Sequence, residues 1–290
     1  MLEMLSYGFL QNAFLAGLMI ALIAPVIGVY IVLRRQSLMA ETLSHVSLAG
    51  VAVGALIGVY PMFTALLASL IGAVMVDTLR RSFKAYSELS IAILMSGGLA
   101  TALVLMSLNK GGSNRGFTSY LFGSIIAVSE QDLLVMAGVL IVCVLFFWLL
   151  WKPMYVTTFD EETAQVSGIP VKTLSIGFSI LCGLVVAVAM PIVGVLLVSS
   201  LMVLPAAIAL RVTKGFAMAV GVAVLVGVFC VMGGLTASYQ LDIPPGGTIV
   251  LLLLTTLVTV LGVKKVYLFF QARFGRNENN DANMIAVEER

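Results

Sequence analysis

The sequence is divided into apolar runs of about 20 residues, the length at which a helix crosses the roughly 30 Å of hydrocarbon in a bilayer. They lie at 8–33, 38–58, 62–79, 88–108, 130–151, 172–190, 193–212, 216–237 and 247–270, separated by charged or turn-forming residues. In lipid, every backbone N–H and C=O must find its partner inside the segment, so such runs become spanning helices. Composition agrees, because only 10% of the 290 residues are charged and 61% are hydrophobic, against about 25% charged in a soluble domain. A soluble enzyme, a nucleic-acid binder and a disordered regulator are thereby excluded. The expected fold is an all-α integral membrane protein, a polytopic bundle of eight or nine transmembrane helices. The count depends on whether both segments flanking Met190 and Pro191 cross. One further apolar piece, 117–127, is too short to span and reads as re-entrant.

Orientation follows the distribution of basic residues. Fourteen of the sixteen Lys and Arg lie at alternate junctions, from Arg34 and Arg35 to Lys264 and Lys265; only Lys110 and Arg115 lie on the other side. The positive-inside rule makes the rich side cytoplasmic, with the N-terminus outside and the C-terminus inside. Residues 1–273 then form one membrane domain, and 274–290, polar and rich in Asn, read as a disordered cytoplasmic tail.

Ionisable residues within a bilayer are costly and mark function by default. Cys143, Cys182 and Cys230 all sit inside apolar runs with no CxxC, so a disulfide or zinc framework is not expected. Asp77, one turn before Arg80 and Arg81, reads as an interfacial ion pair, and Glu88 as a carboxylate at a helix start. Glu41 and His45 differ. They are four residues apart on one helical face, His45 is the sole histidine, and both are well inside a span. A carboxylate and an imidazole suit a divalent ion such as zinc, with the Ser44 hydroxyl as an additional ligand candidate. The alternative is a neutral histidine hydrogen-bonded to Glu41 as packing glue.

On the basic side, the segment at about 158–170 holds Thr158, Phe159, Asp160, Glu161, Glu162, Ala164, Gly168 and Pro170. Thr158 with Glu161 fits a capping box, and the acidic residues suit a first helical turn. Gly168 suits the residue just past a helix end, and Pro170 stops continuation. The expectation is a short, well-terminated cytoplasmic helix. A P-x-x-G-V pattern recurs at Pro25 and Pro191, a weak hint of an internal repeat. There is no G-x-x-x-x-G-K-[ST], H-E-x-x-H or G-x-S-x-G, so neither ATP hydrolysis through a P-loop nor hydrolase chemistry is expected of this chain.

These segments together resemble the permease subunits of bacterial metal-ion ABC importers of the ABC-3 type. The carriers are Leu33 to His45, Tyr120 to Ile125, Phe159 to Pro170, Gly194 to Ser199, and Leu204 to Ala207. The likeness is greatest to zinc-uptake permeases, with manganese-uptake permeases more distant. It implies a multi-pass protein of the bacterial cell membrane that acts as a homodimer, with two cytosolic ATPases and an extracytoplasmic metal-binding protein. It also implies that the Phe159–Pro170 run is the helix that couples to the ATPase, through Phe159, Asp160, Glu161, Glu162, Ala164 and Gly168. Zinc, or manganese, is then the transported substrate rather than a cofactor. That family usually carries Asp where this chain has Glu41, which keeps the charge and lengthens the reach by one methylene. Manganese or iron uptake stays open, as does a secondary transporter in which Glu41 and His45 relay protons.

Overall fold

The computed structural model describes residues 8–82, 87–108, 114–126 and 128–288. Every element among them is a helix: α1 (Gly8–Leu33), α2 (Ser37–Ile57), α3 (Pro61–Ser82), α4 (Ser87–Leu108), α5 (Asn114–Phe122), α6 (Glu130–Phe159), α7 (Glu161–Val166), α8 (Val171–Val193), α9 (Val195–Val212), α10 (Phe216–Leu241) and α11 (Pro245–Glu288). All but α5 and α7 are long and apolar enough to span, which gives nine candidate spans among the described residues. Both segments flanking Met190 and Pro191 therefore qualify, as α8 and α9.

Two boundaries differ from the sequence reading. The span expected to close at 151 continues as α6 to Phe159, bent rather than ended by Pro153, with Leu150 in non-helical geometry (φ −112°, ψ 16°). A proline removes one N–H and kinks a helix without always stopping it. Helix α11 also runs on through the Asn-rich stretch read as a disordered tail. That stretch holds no proline, and propagation adds a backbone bond with each residue.

Burial sorts the spans. Helix α8 is buried along almost its whole length and α1 along most of it, whereas α4, α6 and α11 are largely exposed. Helix α2 is wedged among α3, α4, α8 and α9. Small residues permit this, because without side chains helix backbones can approach closely. A Cβ on Gly98 of α4 would stand 3.0 Å from the His45 carbonyl carbon, and one on Gly72 of α3 would stand 2.7 Å from Val46. An aromatic cluster ties α1, α6, α8 and α10 together. Tyr30 stacks on Phe147 at 5.1 Å and meets Phe216 edge-on at 5.2 Å, with Phe178 at 6.0 Å.

The end opposite the basic residues is organised by glycines. Ser129 caps α6 through a capping box with Asp132, and the Tyr60 hydroxyl donates to the same carboxylate. Helix α5 lies against α8 and α9. It ends at Gly123, whose φ of 78° favours glycine. The next amide, Ser124 N–H, donates to the Pro191 carbonyl at 2.9 Å. A Cβ on Gly123 would run into the Ile192 carbonyl, and one on Gly194 would meet the Leu121 carbonyl. The short piece thus docks onto the one-residue break between α8 and α9. The two P-x-x-G-V copies are used differently. Gly194 breaks the chain (φ 86°), whereas Gly28 stays inside α1 with its α-carbon against the Met202 carbonyl.

Two glycines with the same φ separate backbone strain from steric contact. At Gly168, which also has φ 78°, a Cβ would meet nothing within 4 Å. Gly168→Ala should therefore cost only the positive-φ penalty of about 1–2 kcal/mol, whereas Gly123→Ala adds a clash with backbone. The apparent melting temperature in detergent should fall at least twice as far for Gly123→Ala. Equal shifts would contradict the docking of α5 on the α8–α9 break.

Candidate functional site

Helix α2 opens after a tight turn at Arg34, Arg35 (φ 54°) and Gln36, and it carries all three candidate ligands. The Thr42 hydroxyl donates to its own Leu38 carbonyl at 3.0 Å and lies 3.4 Å from the Ile91 carbonyl of α4. Ser44 is buried and donates to the Ala40 carbonyl at 2.9 Å. A hydroxyl so engaged keeps its oxygen lone pairs free to accept. His45 is buried, and its Nδ1 is enclosed without a hydrogen-bond partner. Glu41 is half-buried and makes no hydrogen bond or ion pair with the described residues. The packing-glue alternative requires a Glu41–His45 hydrogen bond, and none joins them.

A buried polar atom left without a partner costs about 1–3 kcal/mol. Such an atom one turn from an uncommitted carboxylate has the makings of a ligand pair. It is only a pair: no group of three His, Cys, Asp or Glu side chains that could hold an ion occurs among the described residues. An ion held by Glu41 and His45 would therefore need ligands from water or from another chain.

The short helix expected on the basic side is present as α7, with a different start. Its N-cap is Asp160, not Thr158. Asp160 accepts from the Thr163 amide at 2.9 Å and from the Thr163 hydroxyl. Thr158 belongs to the last turn of α6 and donates to the Met154 carbonyl at 2.7 Å. The reason is that α6 continues past the kink, which shifts the cap two residues along the chain. Glu161 and Glu162 occupy the first turn, as the dipole favours. The other end is as the sequence suggested: Gly168 N–H donates to the Gln165 carbonyl and Ile169 N–H to the Ala164 carbonyl, both at 3.1 Å. These two bonds form a Schellman motif around Gly168. Ala164 is fully buried, while Phe159 and Val166 are exposed. The Thr163 hydroxyl and then the Thr163 amide hold the Asp160 carboxyl below the usual carboxylate range.

Sequence reasoning found the Asp77 ion pair but missed its extent. Asp77 is buried, with Arg81 Nε at 2.7 Å and Arg80 Nη2 at 3.8 Å. Ser175 of α8 donates to Asp77 at 2.9 Å and accepts from Arg34 at 3.2 Å and Arg80 at 3.4 Å. Arg34 also lies 5.4 Å over the Phe178 ring. Burial, then the Arg80 charge, pulls the Arg34 guanidinium below its ordinary value, while Glu161 of α7 and Asp77 oppose that shift. The turn that launches α2 and the helix that follows α7 thus meet in one charged cluster. Ser175 gave no sequence signal, being one hydroxyl in an apolar run.

Residues 6–264 match the ABC 3 transport family. The chain is 35% identical over 263 residues to a "Probable metal transport system membrane protein" of Treponema pallidum, covering 91% of this chain and 98% of that one. It is 31% identical over 249 residues to the manganese transport system membrane protein MntC of Halalkalibacterium halodurans, covering 86% and 85%. Identity is also 31%, over 246 residues, to the high-affinity zinc uptake system membrane protein ZnuB of Haemophilus influenzae, covering 84% and 94%. Among solved structures, PsaBC from Streptococcus pneumoniae in complex with Fab superposes with a TM-score of 0.79 at 28% identity, covering 88% of this chain and 91% of that one.

The position of the α7 cap is directly testable by hydrogen exchange. Asp160→Ala should speed exchange at the Thr163 amide several-fold, because the cap is that amide's acceptor, whereas Thr158→Ala should leave it unchanged. Because the folded Asp160 value is depressed, the cap's contribution is present above the ordinary carboxylate value and lost as pH falls through the folded value. Protection at Thr163 should therefore persist at neutral pH and weaken below about pH 4. Faster exchange in Thr158→Ala alone would return the cap to Thr158.

Proposed function

This chain belongs to the ABC 3 transport family, and we propose, with that as the premise, that the metal it carries is zinc and that Glu41 and His45 carry it. It is the membrane-spanning permease of a metal-ion ABC importer. The relatives are named for manganese, zinc and iron, so the choice among metals rests on ligand chemistry. A lone imidazole beside a carboxylate suits a borderline ion better than a hard one that prefers oxygen alone. The single observation supporting the site is the buried, unpartnered His45 Nδ1 one turn from an uncommitted Glu41.

One chain offers two such ligands, and a two-fold axis between copies offers two Glu and two His. Four is the coordination number zinc prefers. We take the working unit to be this homodimer. A transport site must also let its ion leave, so capture is left to an extracytoplasmic metal-binding protein. No P-loop occurs in the sequence, so ATP hydrolysis falls to two separate cytosolic ATPases. Helix α7 is the segment that docks on them, with Phe159 and Val166 as its exposed apolar contacts. The C-terminus is cytoplasmic, and 274–290 lie outside the membrane domain.

Radioactive zinc uptake by cells expressing equal amounts of each variant tests the ligand pair. His45→Ala should abolish uptake with the dimer and its ATPases still assembled. Glu41→Gln, which keeps the size and removes the charge, should do nearly the same, and Glu41→Asp should be tolerated. Ligation needs neutral imidazole, so uptake should decline as the site is acidified. Transport at the wild-type rate by His45→Ala would reduce the histidine to packing. A manganese arm in the same assay separates the two metals.

The docking role of α7 has its own readout. Val166→Asp places a charge on a side chain that is 91% exposed, so folding should be unaffected while the ATPase no longer co-purifies. Undiminished co-purification, with normal coupling, would make α7 a plain connector.

A further inference from the structure

The chain contains only two tryptophans, Trp148 and Trp151, and both line one groove. It occupies about 600 Å³ where α6 bends, between Phe147 and Pro153, and Lys152 lies within the same run. The bend creates it: Leu150 leaves helical geometry, and Pro153 follows three residues later. Trp148 is 78% exposed. Trp151 forms the inner wall, tilted against Phe216 at 5.3 Å and edge-on to Tyr30 at 6.5 Å. The groove is thus backed by the aromatic cluster around Tyr30 and Phe216.

Its depth in the bilayer follows from helix geometry. Lys152 lies about 33 Å along α6 from Glu130 at 1.5 Å per residue, just past a hydrocarbon layer of about 30 Å. That is the headgroup level, where tryptophan rings concentrate and a lysine reaches for the polar boundary. Lys152 is exposed and makes no ion pair or hydrogen bond with the described residues. No Asp or Glu occurs in 133–159, 195–241 or 243–277. Helices α9 and α10, the described side chains of α11 and α6 beyond Asp132 therefore offer it no counter-charge, and the carboxylate nearest in sequence, Asp160, is engaged in capping α7. The last turn of α9 and the turn before Phe216 instead carry Arg211 and Lys214, and Lys264 Nζ donates to the Arg211 carbonyl at 2.7 Å.

We propose that this groove is a binding site for an anionic phospholipid. The headgroup phosphate pairs with Lys152, and the glycerol region and upper acyl chains lie against Trp148 and Trp151. A phosphate meets the unpaired cation, and hydrocarbon meets the exposed rings. The assignment depends on the membrane-spanning fold and not on the metal carried or on Glu41 and His45.

The site supplies its own probe, since all of the protein's tryptophan emission arises from its wall. The full chain is reconstituted in phosphatidylcholine vesicles containing brominated phosphatidylglycerol or brominated phosphatidylcholine, and quenching is followed against mole fraction. Phosphatidylglycerol should be preferred about three- to fivefold, the scale of one lysine near a lipid surface. Lys152→Gln should bring the ratio near unity, and Lys152→Arg should keep it. Lys172→Gln, an exposed lysine at the start of α8, should also keep it. Equal quenching by the two lipids, a preference that survives Lys152→Gln, or the same loss in Lys172→Gln would overturn the assignment. Absence of quenching by either lipid would show the groove covered by protein and overturn it equally.

Discussion

A backbone in hydrocarbon has no water to satisfy its polar groups, and the rest of this architecture follows from that condition. Helices can be interrupted only where protein covers the break. The Gly194 interruption between α8 and α9 is covered by α5, whose Ser124 amide reaches the Pro191 carbonyl. The turn at Gly123 is the other half of the same contact. At Leu150 the departure from helical geometry falls near the end of a long span, close to the polar boundary. Among the described residues of the spans, these two departures thus lie at a protein-covered junction and near a membrane surface.

The same condition shapes the position of α2. Apolar side chains gain little by leaving lipid for protein, so close packing by small residues brings helices together. Gly50, Gly54, Gly72 and Gly98 let α3 and α4 press against the α2 backbone on both flanks of Glu41 and His45. The helix with the ionisable pair is therefore closely held by its neighbours. An unpartnered imidazole nitrogen in such a setting carries a desolvation cost that no hydrogen bond offsets.

Charge at the other end of the molecule is handled in the opposite way. Asp77 is buried yet fully engaged, with Arg81, Arg80 and Ser175 around it. Arg34 joins through Ser175, and Glu161 acts on Arg34 and Arg80 through space. This cluster makes physical contact between the turn that starts α2 and the helix that continues from α7. A displacement of α7 by a partner would have a polar, directional route toward the α2 turn, in place of the apolar contacts that dominate elsewhere.

The sequence alone determined the class of fold, most of the spans to within a few residues, and the placement of Glu41 and His45 one turn apart on one helix. Each rests on local rules: apolar length, charge placement, and a four-residue spacing on one helix. It also located Gly168 at the end of α7, because a positive φ after a helix selects glycine locally. Tertiary structure decided the rest. Asp160 and not Thr158 caps α7 because α6 survives Pro153, and that depends on how a bent helix is packed. The two P-x-x-G-V copies diverge because Gly28 faces a neighbouring carbonyl inside a continuous helix, while Gly194 lies beneath α5. Ser175 was invisible for the same reason, since its partners Asp77 and Arg34 lie 98 and 141 residues away in sequence. Local spacing fixes what a residue can do within its own helix; which distant backbone or charge it meets is settled only when the helices pack.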